Sequence, residues 1–276
     1  MKKTTDMRTV AVAAVMTLVA VTAHAQGDST VSAKITTSSY MIGAGVTKVL
    51  DTYLSQEHFS GPGASFLYTN ERHKPGKRWS TIMEHQANVS FTNNRTDDAD
   101  EIEGAYAFYW GRFYTWRLCA DRLTLQAGGM ANAEIGFIYN TINGNNPAQA
   151  RANINIMPSV TGAYRFRLFG RQTTARYEIQ LPLFGVMFSP NYGQSYYEIF
   201  SEGNYDHNIV PTTFVSAPNI RQLVTIDINV SRRVTLRMGY LGDYRQSNVN
   251  NLKSHVYSHR FMIGISKSFK MINYRP

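Results

Sequence analysis

The residues best placed to do chemistry are charged and recur at strand spacing. Glu134, Arg165, Arg176, Glu178, Arg221, Asp227, Arg237 and Asp243 each fall on the polar parity of a segment in which apolar and polar residues alternate. Side chains along a strand alternate between faces with a period of two, so these eight are expected to share one polar interior. Glu84, Arg167 and Arg260 lie on the same parity. Both signs occur, so neighbours can pair. Two readings stay open. The charges fill a narrow barrel with hydrogen-bonded pairs, or they line a constricted pore or small-ligand pocket, where arginine-rich rings favour anions.

Other candidates carry less. Asp206-His207 could act as an acid–base pair, a carboxylate orienting an imidazole, but spacing fixes no third partner. Lipid cleavage on an outer wall needs a serine beside a histidine. His85 and His259 have outward parity, and neither has a serine two residues away. Nothing has metal-ligand spacing, a phosphate loop or a nucleophile elbow, so no catalytic residue, metal or cofactor is expected. Cys119 stands alone, which excludes an intramolecular disulfide.

These side chains need long strands to hold them. Asn219 to Arg245 reads as a hairpin around the turn Ser231-Arg232-Arg233. Pairing Val230 with Val234 sets Ile228 against Leu236, Ile226 against Met238 and Val224 against Tyr240 on an apolar face. The same register sets Asp227 against Arg237 and Arg221 against Asp243 on the polar face. Eight further alternating segments run over 38–54, 64–72, 78–92, 101–116, 122–139, 152–168, 173–187 and 256–271. Gly61 to Gly63 reads as a turn, Pro182 as a bulge or break, and 246–255 as a polar loop. The longest irregular stretch is Phe188 to Pro218. Short connections alternate with longer ones, and aromatics gather toward the strand ends, as in transmembrane barrels. The fold expected is an antiparallel up-and-down barrel of ten strands, or twelve if Ser195 to Glu202 hides more pairing. A secreted β-sandwich is the alternative, against which the strands are too long.

The N-terminus sets the compartment. Lys2, Lys3 and Arg8 precede an apolar run from Val10 to Val21 and an Ala23-His24-Ala25 cleavage site. Residues 1–25 are expected to be a signal peptide, 26–37 a loose leader, and 38–276 the barrel domain. The net charge of +9 would suit nucleic acid, but the basic residues are dispersed and export argues against it. A mean hydropathy of −0.29 does not exclude a membrane barrel, whose two faces average out.

Asp51-Thr52-Tyr53-Leu54-Ser55, Ser189-Pro190-Asn191-Tyr192-Gly193 and Gly203-Asn204-Tyr205-Asp206-His207-Asn208 resemble segments of an uncharacterised exported domain-of-unknown-function family of Bacteroidota. The resemblance covers nearly the whole mature chain and implies an outer-membrane β protein. It brings no activity and no functional residues. The expectation is a monomeric barrel in the cell outer membrane, structural or narrowly transporting. Its partners would be membrane lipid and, during insertion, the barrel-assembly machinery. An outer-membrane lipid-modifying enzyme is the alternative.

Overall fold

The computed structural model describes residues 32–144, 146–231 and 234–273, of which Ala33–Ile272 form one compact unit. The expected signal peptide, the first part of the leader, and Arg232 and Arg233 of the hairpin turn lie outside the described residues.

Twelve strands follow in order: β1 (Ser32–Asp51), β2 (Phe59–His73), β3 (Trp79–Asn93), β4 (Asp100–Leu118), β5 (Leu123–Asn140), β6 (Ala148–Leu168), β7 (Arg171–Gln180), β8 (Phe184–Phe188), β9 (Ile209–Thr213), β10 (Ile220–Asn229), β11 (Val234–Val249) and β12 (Leu252–Asn273). A short helix, α1 (Tyr196–Phe200), lies between β8 and β9. Ten strands close a ring in the order β1-β2-β3-β4-β5-β6-β7-β10-β11-β12, with β12 back beside β1. Closure leaves no open edge in the ring and rules out a two-sheet sandwich.

The other two strands form a hairpin off the wall. β6 pairs with β7 through Ser159–Leu168 and with β8 through Ala152–Ile156. Pro182, which cannot donate to a ladder, sits in the break between them. β9 pairs with β8, so this hairpin is part of the connection between the ring strands β7 and β10.

The β10–β11 register is the one read from the alternation: Asp227 faces Arg237, Arg221 faces Asp243 and Ile226 faces Met238. Strand β3 shows the alternation most fully, its residues switching between covered and open at each step from Trp79 to Asn93.

Several expectations need correction. Residues 32–37 of the expected leader belong to β1, which begins at Ser32. Gly61 to Gly63 is no turn. It lies inside β2, with Pro62 paired to Val46. The glycines serve a close approach instead: a Cβ on Gly63 would stand 2.3 Å from the Arg260 guanidinium. The stretch 246–255 is no loop either. β11 and β12 pair as far as Val249 and Leu252 around a two-residue turn. Asn250 and Asn251 there have φ of 53° and 60°, the mirror-image turn that matches strand twist and tolerates asparagine. Ser195 to Glu202 hides α1 rather than pairing. Its signature was legible as a capping box: Ser195 accepts from the Glu198 backbone N–H while Glu198 accepts from the Ser195 N–H.

The wall is inverted relative to a soluble protein. Ile42, Ile135, Ile154, Ile156 and Phe261 are each about three-fifths exposed on the outside (63, 65, 59, 65 and 64 %). Aromatics ring the two ends. Trp79, Tyr114, Trp116, Tyr164 and Phe269 lie toward the short turns, Phe91, Phe137 and Tyr139 toward the long loops. Inside, apolar residues at the polar parity form layers across the bore. Ile82, Tyr109, Phe113, Met130 and Met157 form one buried cluster. Met41, Leu67, Leu223, Leu241 and Met262 form another. A third, with Val49, Leu54, Phe59, Ile138 and Val256, lies at the long-loop end.

Candidate functional site

Barrel closure brings charges from distant strands together in the bore. The Arg221 guanidinium from β10 lies 2.9 Å from Glu84 on β3 and 3.5 Å from Glu178 on β7. Its Nε donates to Gln86 Oε1 at 2.8 Å, and its plane lies 4.8 Å from the Tyr109 ring. Gln86 in turn donates to Asp243 at 2.7 Å. Asp243 also takes Arg245 at 2.6 Å, and Arg245 reaches Glu134 at 3.1 Å. Arg151 completes this patch, 3.4 Å from Glu134 and 3.6 Å from Glu103. The result is one network of ion pairs and hydrogen bonds across the bore.

The expected Arg221–Asp243 ion pair does not form. The two residues are opposite in register, yet each guanidinium oxygen contact goes elsewhere. The hairpin register sees only β11, whereas the closed ring offers Arg221 one carboxylate from β7 on its other side and one from β3 across the bore. Asp227 and Arg237 do pair, through two parallel bonds of 2.7 and 2.6 Å, and Arg237 also donates to Ser39.

The remaining candidates are spread out. Arg176 lies 3.7 Å from Glu71, nearer the short-turn end. Arg165 is exposed and lines a vestibule at that end with Lys77, Arg117 and Arg176. Arg260 is fully buried and has no carboxylate within ion-pairing reach among the described residues. It is held instead by Val46 O, Thr47 Oγ1, Ser65 Oγ and Ser90 Oγ at 2.6–3.2 Å. Ser90 donates onward to Glu103, so the charge is relayed through a hydroxyl.

Above this network a cavity of about 70 Å³ opens, bounded by Glu134, Arg151, Arg221 and Arg245 below and by Ser189 and Thr212 above. It has room for roughly five waters at ~10–15 Å³ each, too little for an organic solute. Phe113 and Met130 separate it from the vestibule, since on their strands they lie between residues that line the two spaces, and Ile82 packs in the same cluster.

The segment 189–208 folds over the long-loop end. Ser189 N–H donates to Asn208 O, and the Asn208 amide donates to Gln194 Oε1 at 2.7 Å. Tyr196 accepts from the Ala150 N–H at 2.7 Å and donates to Gln149 at 2.9 Å. Tyr53 donates to Gln194 O at 3.0 Å and meets the Tyr196 ring edge-on. The Asn250 amide of the tight turn donates to Ser189 O and His207 O. Asp206 and His207 hydrogen-bond to each other on the exposed surface of this segment. His85 and His259 lie on the outer wall, bonded at 2.6 Å to Tyr106 and Tyr240.

A family model described as "Protein of unknown function (DUF3316)" matches residues 10–276. The chain belongs to this DUF3316 family. No curated protein matches it. Among solved structures it is similar to the outer membrane protease OmpT from Escherichia coli, with 10 % identity over 86 % of this chain and 97 % of that one, TM-score 0.47. It is also similar to the transport unit of the autotransporter AIDA-I from Escherichia coli, with 8 % identity over 94 % and 97 %, TM-score 0.40. A third is the Neisserial surface protein A, NspA, with 10 % identity over 85 % and 97 %, TM-score 0.37.

Sequence reading missed Gln86, Glu103, Arg151 and Arg245 as members of the DUF3316 network, and it missed the apolar seal. Leu223 and Leu241 were visible at polar-face parity within the hairpin, and Ile82 within β3. Those positions were the available signal of a filled bore.

Two predictions concern the cap. Asn250→Ala removes bonds to three carbonyls of 189–208, a loss of about 1–3 kcal/mol. Limited proteolysis between Gly203 and His207 should then run roughly 5- to 160-fold faster if cleavage tracks local opening. An unchanged rate would mean that Asn250 does not hold the cap. The second is alkaline. Burial first, then the Asp51 and Glu198 charges, pushes the Tyr53 phenol up from 10.0 to about 12. The neutral phenol is thus favoured in the folded cap. Its contribution is complete below pH 10 and lost as pH rises toward 12. Tyrosinate absorbance should show one fewer late-titrating tyrosine in Tyr53→Phe than in the parent, whose cap loosens over the same window.

Proposed function

We propose that the protein is an integral outer-membrane β-barrel with a closed bore, a scaffold that holds the 189–208 cap at the outer surface. The observation that carries this is the inversion of the wall, with apolar side chains open on the outside and charges packed within. Water would not tolerate such a belt, and hydrocarbon would. Trp79 and Phe91 are twelve residues apart on β3. That is ~40 Å along a strand and ~30 Å after a tilt of ~40°, close to the thickness of a hydrocarbon core. The short connections after β2, β4, β6 and β10 lie at the same end as the start of β1 and the end of β12, which supports a periplasmic location for that end. A sealed bore supports the structural role over transport.

Reconstitution tests this. The folded protein should resist denaturation in an unboiled gel sample, insert into vesicles, and stay electrically silent in a planar bilayer. A boiled and an unboiled sample of equal mobility would sink the barrel. Steady stepwise conductance of the unaltered protein would replace the closed scaffold with a narrow pore.

A further inference from the structure

The bore does not explain one face of the outer wall. At mid-height, Ala44, Ala64 and Ala87 form the floor of a furrow walled by Phe66, Phe261 and Ile263. The register places Ala44 beside Ala64, and Phe66 beside Ala87. Three methyl groups beside two phenyl rings leave a depression in the wall. Exposed Val46 and Pro62 continue the apolar surface toward the long-loop end.

Cationic and imidazole groups gather above it. Lys48 is exposed on β1, four residues from Ala44, which is ~13 Å along the strand. Lys253 is exposed at the start of β12, tied to the residue that follows β1 by the Thr52 N–H to Lys253 O bond of 3.0 Å. His58, just before β2, has its ring centroid 5.4 Å from that of His255, and His255 stacks on Tyr257 at 4.6 Å. Among the described residues no carboxylate lies within ion-pairing distance of either lysine. The nearby Glu57 carboxylate accepts from the Asn94 amide instead.

We propose that this face binds one phosphorylated, acylated lipid of the outer leaflet. Lys48 and Lys253 hold its phosphate beside His58 and His255, and one acyl chain lies in the furrow. Charge complementarity selects this occupant. A purely apolar partner would leave two lysines unanswered, and a soluble anion would leave the furrow empty. The proposal rests on the membrane reading above, with the long-loop end outward.

The test uses the full chain in nanodiscs of zwitterionic lipid, with bound lipid read by native mass spectrometry. Diphosphoryl lipid A is the probe, compared with its dephosphorylated form and with inorganic phosphate. One copy of the diphosphorylated form should bind, and equal concentrations of phosphate should not displace it. Affinity should fall about fivefold for each lysine removed in Lys48→Ala and Lys253→Ala, and it should fall again in Ala64→Phe, which fills the furrow. Gel mobility and vesicle insertion check that each variant folds. Equal affinity for the dephosphorylated lipid, indifference to both kinds of variant, or a second protein copy on the furrow would overturn the lipid site. A wild-type chain that does not insert at all would instead bring down the membrane reading.

Discussion

Arg221→Ala should cost about 3–5 kcal/mol of unfolding free energy. Arg221 is 3 % exposed and lies within ion-pairing reach of Glu84 and Glu178, which come from two other strands. Alanine leaves both carboxylates in the bore without their cation. It also removes the donor to Gln86 and the cation over Tyr109. Breaking a buried ion pair by deleting one partner costs more than replacing the whole group, because the remaining charge has no compensation. The triple change Arg221→Met, Glu84→Gln, Glu178→Gln should therefore recover most of the loss. Equilibrium urea unfolding from lipid vesicles, read by gel mobility, measures both. A loss under about 1 kcal/mol for Arg221→Ala would place the network among weak surface pairs.

Phe113→Ala should cost about 3–5 kcal/mol and open the bore. Phe113 is 2 % exposed and packs with Ile82 and Met130 between the cavity above and the vestibule below. Truncating it removes a buried ring and leaves a void, so the lost transfer energy and the cavity add. The void joins two hydrated spaces, so the variant should show stepwise conductance where the parent is silent. Phe113→Leu, which keeps most of the volume, should stay silent and lose much less stability. If Phe113→Ala is destabilised yet silent, the seal lies elsewhere, with Met41, Leu67, Leu223, Leu241 and Met262 the next layer to test.

Much of the fold follows from local rules. Alternation in 220–230 and 234–244 imposes two strands with one greasy face each, and only one register keeps both faces consistent. Asp227 and Arg237 pair because that register makes them direct neighbours. The Pro182 break is equally local, since it depends only on a missing N–H. Where local signals misled, a tertiary demand had overridden them. Gly61 and Gly63 look like turn residues, but they are small because β2 passes close to β3 and to the buried Arg260.

By itself the sequence determined the strand periodicity, the hairpin register and the polar parity of Glu134, Arg176, Glu178, Arg221, Asp227, Arg237 and Asp243. These depend on residues adjacent along the chain or across one turn. Only the tertiary structure decided the partners of those charges, the apolar seal, and the use of Ser195–Phe200 as part of a cap. Glu84 and Arg221 are far apart in sequence, and their strands are not neighbours in the ring. No spacing rule can bring them within 2.9 Å. Closing the barrel does, because it turns the polar parities of separate strands into one shared interior.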